Sequence, residues 1–392
     1  MEAKAFQEHL ENNIIPFWNR LKDEKNGGFY GYVDNNQKPD KKSVKGVILN
    51  SRILWFYSAS YQLLKKPELL AMADHAYHFL TEHCFDSQYG GVYWSVNYDG
   101  SVADDTKHTY NQAFAIYALA AYYQASRRKE ALNFAYVLYH VIEEKCRDND
   151  GYLEAFHRDF SPASNEKLSE NGVMAERTMN TLLHLLESYS ELYRADPFYE
   201  VGDSIRNILK LFKGKIYNQE KKICNVFFDR DYHSLINLES FGHDIESSWL
   251  IDRGCHVLGD TAYQKEMSPI INGLAEGSYQ NGIDKTAHAM NNECEDGKTD
   301  CQKIWWVQAE AVTGFYNAYQ KNPAKKEYLK ISEEIWNYIQ KYMIDKKSGE
   351  WMESITENNE PIPGQPLVHP WKCPYHNGRM CIEMIQRLSK AS

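Results

Sequence analysis

What the sequence lacks narrows its function before any motif is read. It has no stretch of ~20 apolar residues, the length a helix needs to cross a bilayer, so no membrane span is expected. It has no run of Lys or Arg, and 44 Lys plus Arg stand against 54 Asp plus Glu, a formal net charge of −10. Nucleic acid and anionic membrane surfaces both require a basic face, so neither is an expected partner. The segment Met1-Glu2-Ala3-Lys4-Ala5-Phe6-Gln7-Glu8-His9 is charged and has no apolar core. It does not read as a secretory signal. None of the eight cysteines belongs to a C-x-x-C pair, which argues against a zinc knuckle or a thioredoxin-like motif. Reduced thiols and a cytoplasmic location are expected. Cys294 and Cys301, which share a polar loop, are the pair that could bridge. There is no G-x-S-x-G elbow and no Gly-rich phosphate loop. Neither a serine nucleophile nor nucleotide binding is signalled.

What is present is a repeat. An aromatic, Gly-bearing segment occurs at Asn26-Gly27-Gly28-Phe29-Tyr30-Gly31 and returns at Tyr89-Gly90-Gly91-Val92-Tyr93-Trp94. It returns again at Asp150-Gly151-Tyr152-Leu153-Glu154 and at Ser348-Gly349-Glu350-Trp351-Met352. Cys224-Asn225-Val226-Phe227-Phe228 and Asn291-Asn292-Glu293-Cys294 fit the gaps as degraded copies. A fixed period of roughly 60 residues points to a repeat fold. Between the copies the apolar spacing predicts pairs of helices, over about 3–22 and 46–64, 68–85 and 108–126, 129–146 and 174–194, 198–213 and 243–258, 262–280 and 303–320, and 325–343 and 374–389. Pro374 reads as lying just inside the last of them.

The second helix of each pair is the less polar, as in Asn111-Gln112-Ala113-Phe114-Ala115-Ile116-Tyr117-Ala118-Leu119-Ala120. The first carries a charged stripe, as in Lys325-Lys326-Glu327-Tyr328-Leu329-Lys330. A helix that is apolar nearly all round is buried, and one with a charged stripe faces solvent. The expected fold is therefore an all-α (α/α)6 barrel, with an inner ring of six helices inside an outer ring of six. An open solenoid is the alternative. No linker divides the chain, so residues 1–392 are read as one domain.

The unusual polar residues fall mainly in the first turns of the inner helices. They are Arg52, Tyr110 with Asn111, Asn180 with His184, His243 with Glu246 and Trp249, Trp306 with Glu310, and His376. If the inner helices run the same way, these groups converge on one mouth, the mark of a small-molecule site. The aromatic content of 14% belongs mostly to the core, yet it would also furnish surfaces on which sugar rings stack. Three chemistries compete. His243, Glu246 and His376 would supply two imidazoles and a carboxylate to a metal, but the local pattern is not H-E-x-x-H. Glu246 and Glu310 would serve a glycoside hydrolase, which needs two carboxylates flanking the bond, but this leaves the histidines without work. Two imidazoles with carboxylates and an arginine suit proton transfer at carbon, because imidazole both takes and gives protons near neutrality. A non-catalytic sugar-binding barrel would use the aromatics and leave the histidines idle.

At these residues the chain resembles the N-acylglucosamine 2-epimerase superfamily, from Ile15-Pro16-Phe17-Trp18 to the last helix. Lys107-His108-Thr109-Tyr110-Asn111, Gly242-His243-Asp244-Ile245-Glu246, Trp305-Trp306-Val307-Gln308-Ala309-Glu310 and Trp371-Lys372-Cys373-Pro374-Tyr375-His376-Asn377-Gly378-Arg379 carry the likeness. Within the superfamily the likeness is to the members that act on β-1,4-linked disaccharides. The resemblance implies epimerisation at C2 of the reducing-end glucose through ring opening and an enediolate, with no metal, nucleotide or other cofactor. Cellobiose would give 4-O-β-D-glucosyl-D-mannose, and lactose would give epilactose. It implies His243 and His376 as the acid/base pair, Glu246 as a group that orients or assists His243, and Arg52 as the binder of the opened sugar's oxygens. Trp306 would stack on the non-reducing sugar and Trp371 would form a second wall. Tyr110, Asn180, His184, Trp249 and Glu310 would complete the pocket. Two bases on opposite faces of C2, or one base with rotation about C2–C3, both remain open. A monomer, and a role in mannan degradation, are the accompanying expectations.

Overall fold

Alternate helices bury side chains on every face, and this decides which of them form the inside of the barrel. In a computed structural model describing residues 1–391, the helices in chain order are α1 (Ala3–His9), α2 (Ile15–Asn19), α3 (Val47–Leu64), α4 (Pro67–Phe79), α5 (Thr109–Ser126), α6 (Lys129–Val141) and α7 (Met179–Ala195). There follow α8 (Tyr199–Leu211), α9 (Phe241–Leu258), α10 (Thr261–Gly277), α11 (Trp305–Lys321), α12 (Lys326–Tyr338) and α13 (His376–Ala391). Ser392, the last residue of the expected domain, lies outside the described residues. A π-helical stretch, Leu10–Ile14, joins α1 to α2 into one rod. The inner ring is α3, α5, α7, α9, α11 and α13, each packed on the next, with α13 returning to α3. The α1–α2 rod, α4, α6, α8, α10 and α12 pack outside it. This is an (α/α)6 barrel, and the contact of α13 with α3 closes it. In α5 every residue from Thr109 to Tyr122 is buried. In α12, Tyr328, Ile331, Ile335 and Trp336 face inward while Lys326, Glu327 and Lys330 are exposed.

The repeated segments are hairpins that follow the outer helices. Outer helices α4, α6, α8, α10 and α12 each end in a five-residue π-helical stretch, such as Leu80–Cys84 or Ile339–Met343. The chain then turns back so that Lys22 faces Phe29, Phe85 faces Val92, Arg147 faces Tyr152 and Ile344 faces Trp351. Tyr217 faces Cys224 and Ile283 faces Met290 in the two degraded copies. The fifth copy therefore sits at Ala289-Met290, immediately before the expected Asn291–Cys294. The turn needs one left-handed residue. Gly27, Gly90 and Gly349 provide it, but Lys222 (φ 58°) and His288 (φ 55°) take the same conformation without glycine. A side chain there costs roughly 1–2 kcal/mol, and its presence hides the copy from a search for glycine.

An ion pair ties four of the six hairpins to the next inner helix. Asp23, Asp86, Asp148, Asn218, Asp284 and Asp345 head the hairpins and accept backbone N–H groups two or three residues on. Four of them also hold a cation placed two residues before an inner helix. The pairs are Lys45–Asp23 at 2.8 Å, Lys107–Asp86 at 3.0 Å, Arg177–Asp148 at 2.7 Å and Lys303–Asp284 at 3.1 Å. Each cation lies on a two-residue strand paired with the following repeat, as Lys45 with Val96 and Lys107 with Phe156. One ion pair thus sets a hairpin, a helix start and a neighbouring repeat. The ring is sealed by a bridge between Val33 and Val368 and by Trp18 Nε1 donating to Glu350 at 2.6 Å. Pro374 precedes α13 rather than lying within it, since the helix begins at His376. Cys294 and Cys301 are both free thiols, not a bridge. No helix among the described residues is long and apolar enough to cross a membrane.

Candidate active site

The six inner helices start at the same rim, and their first turns surround a cavity of about 380 Å³. Arg52 of α3, Tyr110 of α5, Asn180 and His184 of α7, and His243 and Glu246 of α9 line it. Trp306 of α11, Trp371 from the segment before α13, and His376 of α13 complete these walls.

Four imidazoles line this cavity. His369 has both nitrogens engaged, by Glu353 at 3.0 Å and the Trp371 N–H at 3.3 Å, and the other three use Nδ1 elsewhere. His184 Nδ1 meets Glu187 Oε2 at 2.9 Å, His243 Nδ1 meets Ser240 Oγ at 2.8 Å, and His376 Nδ1 meets Glu310 Oε1 at 2.7 Å. A partner on Nδ1 fixes the tautomer and leaves Nε2 as the nitrogen offered to a ligand. Burial pushes the His243 imidazole down to about 3, with His184 adding to the effect and Glu310 opposing it. Burial, then Arg379 and Arg52, hold His376 well below the ordinary histidine range. Burial lowers His184 too, against the pull of Glu187. All three are therefore neutral at pH 7 and able to accept a proton. His243 and His376 both lie against Trp306, with ring centroids 4.7 and 5.5 Å away. His184 lies elsewhere, edge-on to Tyr110 at 5.2 Å.

Behind the cavity wall is a buried charge cluster. The Arg379 guanidinium bonds Glu187, Glu246 and Tyr375, and reaches Glu310 Oε1 at 2.8 Å. Tyr375 donates to Glu187, and Trp249 Nε1 donates to Glu310 at 3.0 Å. Three carboxylates thus share one guanidinium. An uncompensated buried ion costs several kcal/mol, so the cluster is neutralised partly by retained protons. Burial and mutual repulsion raise Glu246, and burial raises Glu310. Burial also pushes Glu187 upward, but Arg379 and His184 outweigh it and hold that carboxylate well below the usual range. The retained proton therefore belongs to Glu246 and Glu310, while Glu187 is ionised. Glu246 Oε2 is buried without a partner among the described residues. Arg52 stands apart from the cluster. It donates to Tyr110 Oη at 2.8 Å and to the Trp371 carbonyl at 3.3 Å, with its guanidinium 4.2 Å from the Phe114 ring.

The family model for N-acylglucosamine 2-epimerase (GlcNAc 2-epimerase) matches residues 28–377. The chain belongs to the N-acylglucosamine 2-epimerase family. It is 47% identical to the cellobiose 2-epimerase of Eubacterium cellulosolvens, with 98% of each chain covered. Among solved structures it is similar to a sugar epimerase from a ruminal bacterium, at 45% identity over 99% of both chains, with a TM-score of 0.96. It is also similar to cellobiose 2-epimerase from Bacillus thermoamylovorans B4167, at 44% identity over 98% of this chain and 99% of that one, with a TM-score of 0.94.

Nine of the eleven expected site residues line the cavity. Trp249 and Glu310 do not; they sit one layer behind, where Glu310 holds His376 and Trp249 holds Glu310. Glu246 does not orient His243 either. The i,i+3 spacing suggested that pair, but Ser240 takes His243 Nδ1 and Arg379 takes Glu246. The compact ligand-like group is Glu246, Glu310 and His376, their nearest atoms within 4.8 Å of one another, rather than the expected set with His243. The Arg379 guanidinium already bonds both carboxylates and supplies their positive charge. Sequence reasoning missed Glu187, Tyr375, Arg379 and Ser240. His184 with Glu187 at i,i+3, and Tyr375 with Arg379 at i,i+4, were the available signals. Asp244, beside His243 in the motif, is structural: it accepts the Cys224 N–H at 2.7 Å and pins the fourth hairpin.

Proposed function

We propose that this chain interconverts the C2 epimers of the reducing-end sugar in β-1,4-linked disaccharides, converting cellobiose to 4-O-β-D-glucosyl-D-mannose and lactose to epilactose. The observation that carries the reading is the pair His243 and His376, both neutral and both set against Trp306 in one cavity. The likeness to cellobiose 2-epimerases over nearly the whole chain supports the substrate. With the pyranose open, the C1 aldehyde acidifies the C2–H bond. One imidazole Nε2 takes that proton, and the electron pair moves through C1 onto O1 to give an enediolate. Arg52 stabilises the oxyanion, which is worth on the order of 3–4 kcal/mol per well-placed donor. A proton returned to the other face of C2, followed by ring closure, gives the epimer. The imidazolium formed at His376 faces Glu310, which steadies it. Glu246, holding a proton near a free oxygen, donates a hydrogen bond to a sugar hydroxyl. Trp306 and Trp371 hold the non-reducing ring, and Tyr110, Asn180 and His184 bound the reducing end.

The chemistry calls for no metal or nucleotide. Hydrolysis fits less well, because its two carboxylates must flank the scissile bond, whereas Glu246 and Glu310 are joined on one guanidinium and Glu310 is off the cavity. The whole chain acts as one catalytic domain, as a monomer without nucleic acid or membrane partners. Eight unpaired cysteines suit a reducing cytoplasm, and a glucosyl-mannose product suits a place in mannan breakdown. The test is purified protein with cellobiose in D2O, without added metal or nucleotide. Glucosyl-mannose carrying deuterium at C2 is expected. Glucosyl-fructose would instead mark an isomerase, free glucose a hydrolase, and tight binding without turnover a lectin-like barrel.

A further inference from the structure

Two aromatic walls face the cavity, and they are held in different ways. Trp306 is the second residue of α11, and the helix fixes its direction. Trp371 lies in residues 369–375, which form neither helix nor strand. A backbone outside regular structure must find its hydrogen bonds in side chains or water. Both backbone groups of Trp371 go to side chains. Its N–H donates to His369 Nδ1 at 3.3 Å, and its carbonyl accepts from Arg52 Nη1 at 3.3 Å. Its ring is bounded by Trp94 and Tyr110, with centroids 5.9 and 5.8 Å away.

The sequence accounts for the first of these bonds. Pro370 has no N–H, so the first backbone donor after His369 is that of Trp371. Because Nδ1 accepts, the ring proton of His369 sits on Nε2. That N–H donates to Glu353 Oε1 at 3.0 Å. Burial pushes the Glu353 carboxyl upward, but His369 and Lys372 outweigh it and hold the group below its ordinary range. Glu353 also reaches the other wall. The Trp305 N–H donates to its carbonyl at 2.9 Å, and Trp305 opens α11 just before Trp306. One residue is therefore tied to both walls, by its carbonyl to the helix of Trp306 and by its carboxylate, through His369, to Trp371.

The geometry points to His369 and Glu353 as positioning residues that set the gap between Trp371 and Trp306, and with it the grip on the non-reducing sugar ring. This rests on the epimerase reading, in which those two walls hold that ring. Both nitrogens of His369 are spent on protein groups, so it acts through Trp371 and not by a bond to the sugar. The reacting carbon belongs to the other ring. The grip is therefore the same in the bound substrate and in the transition state, and its loss shows in KM and not in kcat.

Initial rates of epimer formation from cellobiose test this in a double-mutant cycle. Trp371→Ala should raise KM. His369→Phe keeps a ring and loses both hydrogen bonds, and should raise KM about 3–10-fold with kcat within twofold. With both changes together KM should stay within twofold of Trp371→Ala alone, because no wall is left to place. His369→Asn keeps an acceptor for the Trp371 N–H and should recover part of the loss. His369→Gln reaches Glu353 but not that N–H, and should recover none. Glu353→Ala keeps its carbonyl on Trp305 but frees His369, and should raise KM about 2–5-fold. Unchanged KM in His369→Phe, Glu353→Ala or Trp371→Ala would overturn the assignment. So would a rise in the double variant equal to the product of the two single ones, or equal KM for the Asn and Gln variants. If His369→Phe does not fold, the Asn and Gln variants decide. Each of these outcomes leaves the epimerase reading standing, whereas no epimer from wild type sinks that reading itself.

Discussion

The two ends of the inner ring use the same residue types in opposite ways. At the end where the helices start, His184, His243 and His376 each leave one nitrogen unclaimed among the described residues, and Glu246 Oε2 and Asn180 Oδ1 are buried without partners among them. At the end where the helices stop, charges are matched to one another. Arg253 bonds Glu383, Arg387 Nε reaches Glu383 at 3.2 Å and its Nη1 reaches Asn317 at 2.7 Å, and Lys321 bonds Asp252. Gln124 reaches Glu191 at 2.7 Å across to the next inner helix. Unsatisfied buried groups cost stability, so the open end is carried by the closed one. Polar residues inside a barrel are not by themselves a site; unclaimed atoms around a cavity are.

Substitution at the open end should remove activity and leave stability largely intact. The largest effect is expected for His376→Asn. Loss of a positioned general base costs about 10²–10⁴-fold, read as deuterium entering C2 of cellobiose in D2O. Full exchange in this variant would show that His376 does not handle the C2 proton.

The closed end should behave conversely. Burial pushes Glu383 upward, but Arg253 and Arg387 outweigh it and bring the carboxyl down to about 2. A depressed carboxylate contributes stability that is present above its unfolded value of ~4.5 and lost as pH falls through the folded value. Between about pH 4.5 and 2, wild type should lose on the order of 3 kcal/mol from this group. Urea unfolding of Glu383→Gln should show a shallower acid slope in that window, with kcat/KM on cellobiose changed less than threefold at pH 7. An equally steep slope would mean that the pairing does not support the fold.

A smaller effect separates the layer behind the cavity from the cavity itself. Glu310→Gln keeps the volume and a hydrogen bond to His376 Nδ1 but removes charge. Outer-shell partners of this kind are worth about 10–100-fold. Because His243 is held near 3 and His376 well below the ordinary range, neither imidazole gains a proton between pH 7 and pH 5. The acid limb of the wild-type kcat/KM profile should therefore fall below pH 6. A limb at 6.5 would show that one of them is solvated in the working enzyme.

Architecture was readable because helix burial writes itself into the sequence as period and polarity. The apolar circumference of α5 and the charged stripe of α12 alone place them in different rings. The first turns of α3, α7, α9 and α13 were readable for the same reason: Arg52, His184, His243 and His376 have no use in an apolar core. The second layer was less readable. Arg379 and Glu187 are 192 residues apart, and only ring closure brings them together. Glu310 carries no mark that puts it behind His376 instead of beside it. His243 and Glu246 have a spacing that permits contact, yet Ser240, the residue just before α9, stands at the right place to take His243 Nδ1. Spacing states what two side chains can reach, whereas the packed structure settles which partner each one takes.

The smallest expected effect concerns the fourth repeat, which, like the sixth, departs from the buried-pair pattern. In the fourth repeat the hairpin is headed by Asn218, and the residue two before α9 is Glu239. Where three sister repeats have an Asp with a Lys, and a fourth an Asp with an Arg, both charges are missing here together. That fits a pair whose members are tolerated only jointly, since breaking a buried ion pair costs about 3–5 kcal/mol while replacing both members is often neutral. Restoring the pair by Asn218→Asp with Glu239→Lys should therefore change stability by less than about 1 kcal/mol, measured by urea unfolding. Each single change should be worse than the double. Lys45→Met in the first repeat, which strands Asp23, should cost several times more. Equal cost for the single and double variants of the fourth repeat would show that its hairpin is held by the Asp244–Cys224 hydrogen bond and not by the position that four other repeats fill with charge.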